Sequence, residues 1–173
     1  MSDDMRWGAE IRSACDRYGL APGLIWAIVQ VESGGNPWAW NPEPHYRWFW
    51  NVKTNTAFRP LLVGEITSEV PPLDFPCLAG DRDQEWWGQQ ASWGLMQTMG
   101  AVARENGCAV PYLPEVCKPW TSLEYGCRHV KKLFQRHGNI DSVLSAYNTG
   151  RPDHPPGSAG DAYVRKIRVH YRG

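Results

Sequence analysis

Apolar residues recur at helical spacing towards both ends of the chain and lose that spacing in between. A segment around Met5 to Tyr18 keeps the period and stops at Gly19. Pro22 suits a first helical position and Gly34-Gly35 supplies a stop, which brackets a helix over about Pro22 to Ser33. On it Ile25, Ile28, Val29 and Glu32 fall at i, i+3, i+4 and i+7, so a carboxylate shares the apolar stripe. From Asn36 to about Gln90 the chain turns to Pro, Gly and aromatic residues. The alternation of Tyr46, Trp48 and Trp50 predicts a strand with three rings on one side, and Pro71-Pro72 and Gly80-Asp81 predict turns.

Helical spacing resumes with GLMQTMGAVAREN, where Leu95, Met99, Val102 and Ala103 approximate one face and Gly107 ends it. Thr121 to Glu124 (TSLE) reads as a capping box opening a helix through Tyr125, Val130 and Phe134 toward Gly138. A short helix over Asp141 to Tyr147 and a last one over Asp161 to Tyr171 complete the series. The expectation is a mainly α single domain, 1–173, with a small irregular or β-containing aromatic-rich insertion at about 36–90.

Charge changes the picture by exclusion. With 18 basic and 18 acidic side chains the net charge is zero, so no overall field draws the protein to nucleic acid or to an anionic membrane. No apolar run reaches the roughly 20 residues of a membrane span. The start, MSDDMRWGAE, is acidic where an export signal is basic and then apolar, which predicts synthesis in the cytoplasm without a signal peptide. Five cysteines (Cys15, Cys77, Cys108, Cys117 and Cys127) lack zinc-site spacing and are expected as buried thiols, with a Cys108 to Cys117 bridge as the alternative. No HExxH, GxSxG, phosphate-loop or dinucleotide motif occurs, so neither a metal nor a cofactor is expected. Of ten Trp, seven fall between Trp38 and Trp93, more indole than the core of one segment needs.

The candidate chemistry begins at Glu32. Burial favours the neutral carboxyl, and the negative end of its own helix does the same, so both push its pKa up. A carboxylic acid still protonated near neutrality can hand its proton to a leaving oxygen. The competing reading lets this long side chain fray from the last turn into water. Company favours the first reading, because VESGG at 31–35, GLMQ at 94–97 and AYNTG at 146–150 occur in that order, with Tyr163 closing the set.

Those strings make the chain resemble the soluble lytic transglycosylase and goose-type lysozyme superfamily over roughly residues 20–170, most of the insertion excepted. The resemblance implies a lysozyme-like fold in which Glu-Ser ends one helix, Gly-Leu-Met-Gln opens another and Ala-Tyr-Asn lines the opposite wall of a cleft. It implies Glu32 as catalytic acid and then base, with Ser33 at the cleft floor. Met96 and Gln97 would line the subsite beside the scissile bond. Tyr147 would place its hydroxyl near the carboxylate or the substrate's acetamido group, and Asn148 would bind sugar or support the turn. Plain core packing for Met96, and an ordinary helix stop at 148–150, are the alternatives.

Goose-type lysozymes carry aspartates near the GLMQ string, where this sequence has Gly88 and Met99. Most glycosidases need two carboxylates. Without a positioned second one, the resemblance implies a lyase that closes the 6-hydroxyl of N-acetylmuramic acid into a 1,6-anhydro ring. A hydrolase recruiting Glu43, Glu65, Glu69, Asp83 or Glu85 from the insertion is the alternative. Some of Tyr46, Trp48, Trp50, Trp87 and Trp93 are expected to stack on sugar rings, Trp93 foremost, and a mini-core holding the insertion together competes with that role. The expected partner is the peptidoglycan glycan strand, with no nucleic acid, no membrane insertion and a monomeric state. The setting implied is a bacteriophage endolysin that reaches the periplasm with a holin-type helper. A noncatalytic glycan-binding or virion structural module is the reading from another class.

Overall fold

The computed structural model describes residues 6–171. Met5 lies outside them, and the first helix is α1, Gly8–Tyr18. After α2, Pro22–Ser33, come three short strands, β1 (Trp40–Pro42), β2 (Trp50–Asn51) and β3 (Thr56–Ala57). Two helices follow, α3 (Val63–Ile66) and α4 (Arg82–Gln89), then strands β4 (Ala91–Trp93) and β5 (Thr98–Met99). Helix α5 (Gly100–Glu105), a 3-10 turn at Leu113–Cys117, and helices α6 (Pro119–His137), α7 (Ile140–Thr149) and α8 (Ala159–His170) complete the order. The described residues are mainly α with two small antiparallel sheets, β1-β4-β5 and β2-β3.

The chain divides into two compact units, one of residues up to Gly35 together with those from Gly126 on, the other Asn36–Tyr125. In the first, α1 packs on α2, α2 on α8, and α7 on α8. The stripe read from sequence is its centre: Ile25, Ile28 and Val29 are fully buried. Pro22 occupies the first turn of α2 and Gly34 ends it, returning its N–H to the Gln30 carbonyl. Asn139 caps α7 by accepting from the N–H groups of Asp141 and Ser142, and Ser158 caps α8 by accepting from that of Asp161.

The second unit begins where the insertion is expected to begin, but runs past residue 90. The reason is local. β1 pairs with β4, Trp40 opposite Trp93, and one cluster joins Ala91 and Trp93 to Ala103, Cys108, Leu113, Val116 and Cys117. Several sequence readings change in this unit. GLMQ does not open a helix: it is the turn between β4 and β5, which pair Trp93 with Thr98. Gly94 (φ +73) and Gln97 (φ +45) are both left-handed, which no α-helix permits, and a Cβ on Gly94 would lie 2.7 Å from the Val116 carbonyl oxygen. The helix starts only at Gly100, where a Cβ would lie 2.0 Å from the Gly88 carbonyl oxygen, so α4 and α5 touch there through their backbones.

The three-ring strand is likewise reduced, with ladder pairing only from Trp50. Helix α4 was not expected at all; Asp81, read as part of a turn, is its N-cap, accepting from the Gln84 N–H. Farther on, TSLE is not a capping box, because Pro119 already opens α6 and Ser122 bonds back to Lys118. All five cysteines are unbridged, Cys108 and Cys117 included. Among the described residues no helix is long and apolar enough to cross a membrane.

Candidate active site

Glu32 sits in the last turn of α2, continuous with the buried face of Ile25, Ile28 and Val29. Its residue is half-buried. The Tyr163 hydroxyl, from α8, donates to Glu32 Oε1 at 2.6 Å. Burial raises the carboxyl above the usual carboxylate range; the Tyr163 bond and the Lys166 ammonium pull the other way without cancelling it. Tyr163 is itself held far above the ordinary phenol range by burial, then by the Glu32 and Tyr147 groups, so it stays a proton-bearing donor. With Oε1 accepting from Tyr163, the transferable proton belongs on Oε2.

Tyr147, on α7, stacks on Tyr163 with ring centroids 6.4 Å apart at 20°. His129, on α6, lies 5.5 Å from Tyr147 between ring centroids. Burial, then the Lys132 and Arg136 charges, lower its pKa to about 4, so it is a neutral ring at working pH. The loop between α7 and α8 is fastened by Ser145, whose hydroxyl donates to the carbonyls of Arg151 and Asp153. Ser33 accepts the Gly35 N–H and donates to the Val29 carbonyl, finishing its own helix. Asn148 is exposed on the last turn of α7. Glu32, Ser33, Tyr147 and Asn148 thus fall in one unit, whereas Trp93, Met96 and Gln97 fall in the other.

In that second unit the expected sugar contacts are otherwise engaged. Gln97 Nε2 donates to the carbonyls of Ala39 (3.0 Å) and Gly94 (2.9 Å), and its Oε1 accepts from the Ser92 hydroxyl at 2.9 Å. Both amide hydrogens are therefore engaged, one within the β4–β5 turn and the other on the residue before β1. Met96 is fully buried. Trp93 is only 9% exposed, its indole N–H donates to the Gly88 carbonyl at 2.9 Å, and Trp40 lies 6.0 Å away. The accessible ring of this pair is Trp40, 58% exposed, which sequence alternation did not single out.

Tyr163 was noticed as the end of the motif set, but its bond to a residue 131 positions away has no local signal. Among the described residues no group of three His, Cys, Asp or Glu side chains could hold a metal ion.

The family described as "Transglycosylase SLT domain" matches residues 10–155. The chain belongs to that family. The stretch that defines the SLT domain here includes Glu32, Gln97 and Tyr147, together with the Asn36–Gln90 segment that interrupts the helical pattern. The chain is also similar to the "Transglycosylase" of Enterobacteria phage PRD1, 23% identical over 167 residues, which cover 96% of this chain. It spans 43% of that relative's length. No solved structure matches the chain significantly.

Proposed function

We propose that this SLT domain is a peptidoglycan lytic transglycosylase with Glu32 as its acid and then its base. The observation that supports it most is a carboxyl raised by burial, accepting a hydrogen bond from a tyrosine that keeps its proton. Glu32 Oε2–H protonates the oxygen between N-acetylmuramic acid and N-acetylglucosamine, and that oxygen leaves as a 4-hydroxyl. The substrate's own acetamido oxygen bonds to C1 as the C1–O bond breaks. Its 6-hydroxyl then attacks C1, displaces the acetamido oxygen and returns a proton to Glu32. The product carries a 1,6-anhydro ring and no water is consumed.

A hydrolase needs a second carboxylate for water. Glu85 and Glu65, two of the candidates, are already bound to Arg104 and Arg59. That engagement favours the lyase reading. The PRD1 relative supports a bacteriophage setting, in which one domain acting as a monomer degrades the wall of a bacterial host, and a holin-type helper would give access.

Mass spectrometry of muropeptides released from purified sacculi tests the chemistry, with Glu32→Gln as control. Anhydro-muropeptides made only by the unaltered protein are expected. Reducing ends would convert the assignment to a lysozyme, and no release at all would leave a noncatalytic glycan-binding module.

A further inference from the structure

Within Asn36–Tyr125 the segment Trp48-Phe49-Trp50 splits its rings between two faces. Phe49 is 2% exposed and stacks on Trp86, centroids 4.2 Å apart at 10°, in a small core completed by Phe75, Phe58 and Leu61. That mini-core uses one ring of the three. Trp48 and Trp50 pack instead on each other, 5.8 Å apart at 37°, with Trp48 39% exposed. Leaving two indoles partly in water forfeits much of the stabilisation their burial would give.

The backbone beneath them is held with unusual care. Gln89 Oε1 accepts the Trp50 N–H at 2.8 Å and Gln89 Nε2 donates to the Trp50 carbonyl at 3.0 Å, so a side-chain amide takes the place of a neighbouring strand. The same Nε2 donates to Glu85 Oε1, and Glu85 receives Arg104 Nε and Nη2 at 2.9 and 2.7 Å. Gln89, Glu85 and Arg104 are all buried. A buried polar network of this kind adds little net stability over an apolar core, but it fixes position. The exposed end is fixed too: Asn55 Oδ1 accepts the Trp50 indole N–H at 3.2 Å, and Asn51 Oδ1 accepts the N–H groups of Lys53 and Thr54.

We propose that Trp48 and Trp50 form a binding platform for a peptidoglycan glycan strand, additional to the residues around Glu32 and positioned by Gln89. The inference rests on the peptidoglycan reading of the SLT domain. Sugar C–H faces stack on the two indoles, while Thr54, Asn55 and Thr56 offer hydroxyl and amide groups at their edge. Lys53 is the single charged residue of 48–57, a cation at the turn that complements the lactyl or stem-peptide carboxylates of this polymer. Nucleic acid or an anionic lipid surface would call for a cluster of cations, which the hairpin lacks.

The test is co-sedimentation with purified sacculi in a Glu32→Gln background, where binding is read without turnover. Adding Trp48→Ala is expected to weaken apparent affinity roughly three- to tenfold. Trp48→Phe is expected to recover most of it, and Lys53→Ala to weaken binding at low salt but not at high salt. Unchanged affinity in Trp48→Ala overturns the platform. Should Trp48→Ala also lower the melting temperature, Trp48→Leu decides, since it keeps apolar bulk without an aromatic face: parental affinity in that variant overturns the proposal and lost affinity supports it. Unaltered protein that releases no muropeptides, yet is retained through Trp48, overturns the catalytic reading alone.

Discussion

Two carboxylates withdrawn from water, Glu32 in one unit and Glu85 in the other, are bonded in contrasting ways. Glu85 is 4% exposed and saturated: Arg104 approaches both its oxygens, and Gln89 adds a third bond. Arg104 in turn donates to the carbonyls of Cys108 and Val110, so the whole network is satisfied. Among the described residues Glu32 has one hydrogen-bond donor, Tyr163, and its pKa rises. What separates the two is how many hydrogen bonds each receives, three at Glu85 and one at Glu32.

The sharpest way to break this comparison is to neutralise Glu32. Glu32→Gln is expected to lower sacculus turnover by about 10²- to 10⁴-fold, the usual worth of a positioned acid and base. Its stability moves the other way. A carboxyl whose folded pKa is raised contributes stability at acid pH that is lost as pH rises through that folded value, so above that value the charge is a liability and the Gln variant melts no lower than the parent. A melting temperature clearly below the parent's would mean Glu32 is as saturated as Glu85.

Arg104→Met addresses the other side. It strands Glu85 in the interior and is expected to cost about 3–5 kcal/mol in urea unfolding. A cost near zero would show that water reaches Glu85 and that the contrast in burial is unreal. The smallest of these effects is the most informative. Tyr163→Phe removes a hydrogen bond to a carboxyl that is protonated in the active form, worth about 0.5–1.5 kcal/mol, with a matching loss in kcat/KM. Because that bond lowers the Glu32 pKa, its loss raises the pKa further, and the basic limb of the pH–rate profile moves up. A limb that stays still or moves down would separate Tyr163 from the reacting group.

Sequence reasoning read the Glu32 unit well because its signals are local. Pro22 and Gly34 bound α2 as expected, and the apolar stripe on it is the buried one. In the Asn36–Tyr125 unit the same reasoning misfired for physical causes. The buried face of α4 consists of Glu85, Trp86, Gly88 and Gln89, a face that looks polar until its partners are known. GLMQ has the letters of a helix, but left-handed backbone at both Gly94 and Gln97 makes it a turn. That geometry also lets Gln97 brace Ala39 and Gly94, a pairing that carries no local sequence signal. Long-range pairings such as Tyr163 with Glu32 leave no periodic trace.

The meeting of α4 and α5 has a further consequence. Gly100 faces the Gly88 carbonyl so closely that a single methyl group would overlap it, and a methyl on Gly88 would itself strike Leu113. Peptide units, not interlocking side chains, set how near these two helices come. Their register is thereby inherited from main-chain geometry, and no choice of larger or smaller core residues around them can reset it.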